Sequence, residues 1–202
     1  MNIEFRSWLP AVRRVGLGLA LAGFLSAPAH AREVSGVALP DGIQLGDQSL
    51  VLNGAGLRSL AVFKAYVIGM YLPRRVDSAA AAMDAPGAKR LHLVLMRDLE
   101  GSSLAKALQR GIVDNQSEVA FKALQARVEA MAAAMNRLGE AQKGSQVLMD
   151  FVPGQGTRVA INGKPLMADI PGDDFFRALQ SIWLGAHPAG DGLKESLLGR
   201  SD

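Results

Sequence analysis

Few side chains in this chain can do chemistry, and their types narrow its function at once. None of the 202 residues is a cysteine. That excludes a disulfide scaffold, a thiolate zinc site, an iron–sulfur cluster and a cysteine nucleophile. Three histidines remain, His30, His92 and His187, well separated and without a carboxylate pattern beside them. No metal site and no cofactor are expected from that set. No Ser-His-Asp order and no paired-carboxylate motif stands out either. Chemistry is left to hydroxyls, amides and arginine.

Arg58 is the arginine placed most suggestively. It follows Asn53-Gly54-Ala55-Gly56-Leu57 and precedes an apolar segment. Gly54 and Gly56 supply two glycines of a dinucleotide fingerprint, but Ser59 stands where the third belongs and a strand follows instead of a helix. The expected reading is a tight turn. A guanidinium just beyond it is either a surface charge or one aimed into the ligand side of a sheet. Asn115-Gln116-Ser117 matches a glycosylation acceptor, although Ser117 is equally a helix cap. Met131 and Met135 lie on a core stripe and need no ligand to explain them.

The surrounding pattern predicts the elements that position these residues. Val34 to Leu39 and Gln44-Leu45 are short apolar runs split by the turn signal Pro40-Asp41-Gly42, and residues 45–52 read as a hairpin bending near Gly46-Asp47. Residues 53–56 read as a break. Ala61 to Leu72 is too β-branched and aromatic for a helix and reads as a long buried strand closed by Pro73. A short alanine helix is expected over 78–83 and an alternating strand over 90–96. Ser102 or Ser103 is expected to cap a helix to Val113, and Ser117 a longer one to Leu138. The longer helix carries Phe121, Leu124, Val128, Met131, Met135 and Leu138 on one face. Val147 to Val152 reads as a strand, and 157–167 as a hairpin on Asn162-Gly163. Asp173 is expected to cap a helix through Trp183, and a last short helix covers 192–198. Strands grouped apart from helices make this an α+β protein with an antiparallel sheet.

Residues 1–31 read as an export signal. Arg6, Arg13 and Arg14 give a positive start, Val15 to Leu25 an apolar run, and Ala29-His30-Ala31 a cleavage site. The expected mature domain is 32–202, in a bacterial periplasm, with no integral membrane segment after cleavage. The signal accounts for +2 of the formal charge of +3. A near-neutral remainder lacks the basic face that nucleic acid requires.

Leu52-Asn53-Gly54-Ala55-Gly56-Leu57-Arg58, followed by Phe63-Lys64-Ala65-Tyr66-Val67-Ile68-Gly69-Met70-Tyr71-Leu72, resembles the chalcone isomerase family. Its members carry a G-x-G-x-R turn and then an F-K-x-x-x-I-G-x-Y-L strand. Trp183-Leu184-Gly185, Leu193-Lys194 and Leu197-Leu198-Gly199 resemble the family's closing helices. Val152-Pro153-Gly154-Gln155-Gly156-Thr157 and Asn162-Gly163 look like its exported bacterial branch. The resemblance runs over residues 33–199. It implies an open-faced antiparallel sheet with a layer of helices on one side and a cleft between the long strand and that layer.

The resemblance also implies site residues. The family's catalytic arginine falls on Arg58, and a hydroxyl of the long strand on Tyr66. Arg110 lies near the place of the family's asparagine, and Ser181 stands next to Ile182, where the family has threonine or serine. The helix that carries the family's tyrosine has none here. Arg58 is thus the one clearly retained member of the catalytic set, and the isomerase chemistry is not expected to follow the fold. The leading reading is an exported, non-catalytic protein that binds a small apolar or fatty-acid-like ligand, with Arg58, Tyr66, Arg110 and Ser181 as candidate ligand-binding residues. Two alternatives stand beside it. One is a chalcone-type intramolecular lyase with a site rebuilt around Arg58 and Tyr66, and the other is a periplasmic interaction domain without a ligand.

Overall fold

Two hydrophobic periods alternate along the chain, and each finds its element in the computed structural model, which describes residues 31–200. The strands and helices, in chain order, are β1 (Ala31–Val34), β2 (Val37–Pro40), β3 (Gly42–Leu45), β4 (Gln48–Leu60), β5 (Phe63–Leu72), α1 (Ala79–Met83), β6 (Lys89–Leu95), β7 (Leu99–Glu100), α2 (Gly101–Val113), α3 (Glu118–Asn136), β8 (Glu140–Ala141), β9 (Gln146–Val152), β10 (Gly156–Ile161), β11 (Lys164–Pro165), α4 (Asp173–Leu184) and α5 (Asp191–Leu197). Seven strands form one antiparallel sheet in the order β11-β10-β9-β6-β5-β4-β3. The α+β expectation holds: the sheet curls against a helical layer. The export signal expected over residues 1–31 lies outside the described residues, apart from Ala31, which begins β1.

Alternation on β5 sorts the core into two. Ile68, Met70 and Leu72 point to the helices and join Leu91, Val128, Met131, Phe175 and Leu179 in the main core. Val67 and Tyr71 point the other way, where the β1–β2 hairpin lays Leu39 over them and over Leu50, Leu52 and Ala55. The sheet is therefore partly covered on the face expected to be open. The turn of that hairpin, Ser35-Gly36, has φ of 50° and 83°, the left-handed geometry of a tight two-residue connection.

Asn53 to Gly56 is not a break. These residues run through the middle of β4, paired to β5 as Gly54↔Met70, Ala55↔Gly69 and Gly56↔Ile68. The glycines serve packing. A Cβ on Gly54 would overlap the carbonyl oxygens of Ser196 and Leu197, and one on Gly56 would lie 2.7 Å from Leu193 Cδ1 and 2.8 Å from Ser196 Cβ. Both face the helices, so α5 comes down directly on the strand backbone. Asn53 fixes the contact, its Nδ2 donating to Leu197 O at 2.8 Å and its Oδ1 accepting from Val76 N at 2.7 Å.

Helix starts differ from expectation where tertiary contacts decide them. Ser117 does cap α3, accepting from Ala120 N at 3.2 Å. α2 begins at Gly101, ahead of Ser102 and Ser103, because the Gly101 N–H donates to Gly139 O at 2.6 Å. α4 begins after Gly172, and Asp173 sits inside its first turn, where a carboxylate favours the helix dipole without capping it.

Candidate functional site

Because β4 continues through the glycines, Arg58 stands inside a strand and not before one. It is the direct cross-strand partner of Tyr66 on β5. Directly opposed residues of an antiparallel pair project to the same face. That face is the helical one, since Gly56↔Ile68 lies two pairs along the ladder on the same side and Tyr66 packs against the main core. Both Arg58 and Tyr66 are half-buried.

α4 supplies the third member. Trp183, buried on its inner stripe, donates from Nε1 to the Tyr66 hydroxyl at 2.9 Å. A buried indole N–H seeks a polar partner, and that rule is the sequence-level signal that could have paired Trp183 with a hydroxyl. Trp183 was legible as a core residue; its role at the site was not.

The loop from α4 to α5 closes this end of the sheet. Asn115 ties it to α2, donating from Nδ2 to Gly111 O and His187 O, each at 2.9 Å, and accepting the His187 N–H at 2.8 Å. The Asn115 amide is thus committed to holding the loop. Gly190 ends the loop against Arg58, where a Cβ would come 3.2 Å from Arg58 Nη1. Among the described residues no carboxylate forms an ion pair with Arg58.

Burial pushes the Tyr66 phenol above its ordinary value, while the Trp183 donor and the Arg58 charge pull it back down. The phenol therefore stays protonated at neutral pH. Its oxygen accepts from Trp183, which leaves its own proton free to donate. Arg58 and Tyr66 then offer a cation and a neutral donor side by side, a pair suited to a carboxylate or another developing oxyanion.

The other two candidate residues are placed differently. Arg110 is exposed in the last turn of α2. Ser181 is buried, its hydroxyl donating to Ala178 O at 2.7 Å and accepting from Gln116 Nε2 at 3.0 Å. Ile182 beside it presses on the next helix, where a Cβ on Gly111 would lie 2.8 Å from Ile182 Cγ2.

Two open clefts lie elsewhere. One of about 610 Å³ is lined by Arg32, Arg74, Arg75, Asn53 and Leu198, toward the opposite end of β4. The other, of about 410 Å³, lies between the end of α3 and the β10–β11 hairpin. Neither includes Arg58 or Tyr66, and Leu193 fills the space above Gly56.

The sequence profile of the chalcone isomerase-like family matches residues 31–199. No curated protein matches the chain. Among solved structures, a fatty-acid binding protein of Arabidopsis thaliana is similar with a TM-score of 0.62 and 18% identity, over 81% of this chain and 92% of that one. At that identity the likeness is one of fold.

Proposed function

The chain belongs to the chalcone isomerase-like family, and from that premise we propose that it is an exported, non-catalytic member that binds a small apolar ligand ending in a carboxylate. The observation that carries the reading is the Arg58–Tyr66 rung, an unpaired guanidinium beside a protonated phenol oriented by Trp183. Arg58 supplies charge and Tyr66 a directional hydrogen bond, while the apolar residues of the helical face receive the hydrocarbon. The name of the similar Arabidopsis protein, a fatty-acid binding protein, supports this ligand class. Leu193 rests over Gly56, one step along the same face from Arg58. An acyl chain reaching Arg58 takes the space Leu193 fills here, so binding displaces α5 from the strand.

Export to the periplasm rests on residues 1–31 of the sequence, with the mature protein starting at Arg32. Native mass spectrometry of protein purified from its own periplasm tests both points together. The expected spectrum shows a polypeptide lacking residues 1–31 and an added mass, lost on denaturation, that matches a long-chain acid. A ligand-free spectrum from undisturbed cells favours a protein-interaction domain instead.

A further inference from the structure

The large apolar side chains most open to solvent among the described residues are Leu60, Val62, Phe63, Val113 and Val119. Three of the five stand within four consecutive residues, at the tip of the β4–β5 hairpin. Val62 is 86% exposed and Phe63 58%. The turn itself is built against its own chemistry. Ala61 adopts φ 52°, a left-handed conformation that glycine or asparagine takes at less cost. The β10–β11 hairpin, by contrast, uses Asn162-Gly163 at its bend. A solvated tip has no physical need for Leu-Ala-Val-Phe.

Two basic side chains flank these residues. Lys64 follows Phe63 and is exposed. Arg97, from the loop after β6, places its guanidinium 5.0 Å from the Phe63 ring centroid. The neighbouring Asp98 carboxylate is turned to the backbone N–H of Lys143, which donates to it at 2.7 Å, and forms no ion pair with Arg97 among the described residues. An apolar point flanked by cations is the pattern of a segment that enters the headgroup region of an anionic bilayer. Among the described residues no helix is long and apolar enough to cross a membrane.

We propose that the Leu60–Phe63 tip docks on a bilayer containing anionic phospholipid, with Val62 and Phe63 entering the interface and Lys64 and Arg97 facing the headgroups. The Arg58–Tyr66 rung lies two residues behind Leu60, about 7 Å along the strand. Docking therefore brings the carboxylate-binding pair to the membrane surface, which makes the bilayer the source or destination of the ligand. That last step rests on the ligand-binding reading; the docking does not.

The test places a reporter at the tip. Val62→Trp in the full-length chain is mixed with vesicles of phosphatidylcholine and phosphatidylglycerol carrying brominated acyl chains, with the unsubstituted chain as background. A tryptophan there reads the tip itself, independent of any association through residues 1–30. Quenching at residue 62, absent in Val119→Trp, is expected. Lys64→Glu with Arg97→Glu in the same background should weaken vesicle binding at least tenfold, since each basic residue near an anionic surface contributes about fivefold. Unquenched emission at residue 62 on vesicle-bound protein, or equal quenching at residue 119, overturns the proposal. Quenching without any carboxylate binding upholds the docking and removes only the ligand reading.

Discussion

Trp183 and Tyr66 are 117 residues apart in sequence and share one hydrogen bond, indole N–H to phenol oxygen, at 2.9 Å. The bond occupies one lone pair of the phenol oxygen, so the phenol proton points away from the indole. It also connects α4 to the middle of the sheet, on the rung that holds Arg58. A side chain read from sequence as packing alone thereby sets the chemistry of its neighbour.

The close seat of α5 on β4 yields opposite outcomes at two glycines. Gly54→Ala forces a methyl into the carbonyls of Ser196 and Leu197, backbone atoms that cannot rotate aside. It should destabilise the protein by about 3 kcal/mol or more, the upper range of overpacking. Gly192→Ala, on α5 with open space around it, should stabilise by about 0.5–1 kcal/mol through helix propensity. Urea unfolding of both variants checks the pair.

That same contact shows how far the sequence could be read. Elements with a strong local period were legible: the α3 stripe, the β6 alternation and the Asn162-Gly163 bend all appear where the pattern puts them. Residues 53–56 read locally as a break because their glycines answer to α5, some 140 residues downstream and invisible to any local window. The α2 start departs from the local pattern for the same kind of reason, a carbonyl of Gly139 receiving the Gly101 N–H. At the site, the family motif placed Arg58 and Tyr66 but not their pairing, which requires β4 to be continuous. Trp183 was out of reach because its partner lies on a distant strand.

Both tyrosines should titrate above the ordinary phenol range. Burial holds Tyr71 at about 12 and pushes Tyr66 upward as well. The unfolded chain binds the Tyr71 proton less tightly than the native one between pH 10 and 12. Stability is therefore complete below about pH 10 and falls as pH rises toward the folded Tyr71 value of about 12. Trp183→Phe removes a donor that favours the phenolate, so the Tyr66 value should move higher still. Ultraviolet titration of phenolate absorbance in folded and urea-unfolded protein reads these shifts. A tyrosine titrating near 10 in the folded state contradicts them.

Cyclisation of a chalcone should run at the uncatalysed rate. The reaction needs the phenolate and the enone held together, with donors placed where enolate charge develops. The stretch from Ser102 to Asn115 carries no tyrosine, and Ile182 offers only hydrocarbon where the resemblance places a hydroxyl, with the adjacent Ser181 already engaged by Ala178 and Gln116. Loss of one oxyanion donor costs about 2.7–4 kcal/mol, so two such losses erase most of an advantage. Acceleration above about a hundredfold that Arg58→Ala abolishes would establish an isomerase in place of a binding protein.

The central claim is that Arg58 and Tyr66 together recognise a carboxylate at the end of an apolar chain. Calorimetric titration with a saturated fatty acid and with the alcohol of equal length tests it most directly. The account predicts that the acid binds, that the alcohol binds at least tenfold more weakly, and that Arg58→Ala erases the difference while Tyr66→Phe reduces it. Equal affinity for acid and alcohol, or a preference for acid that survives Arg58→Ala, contradicts it.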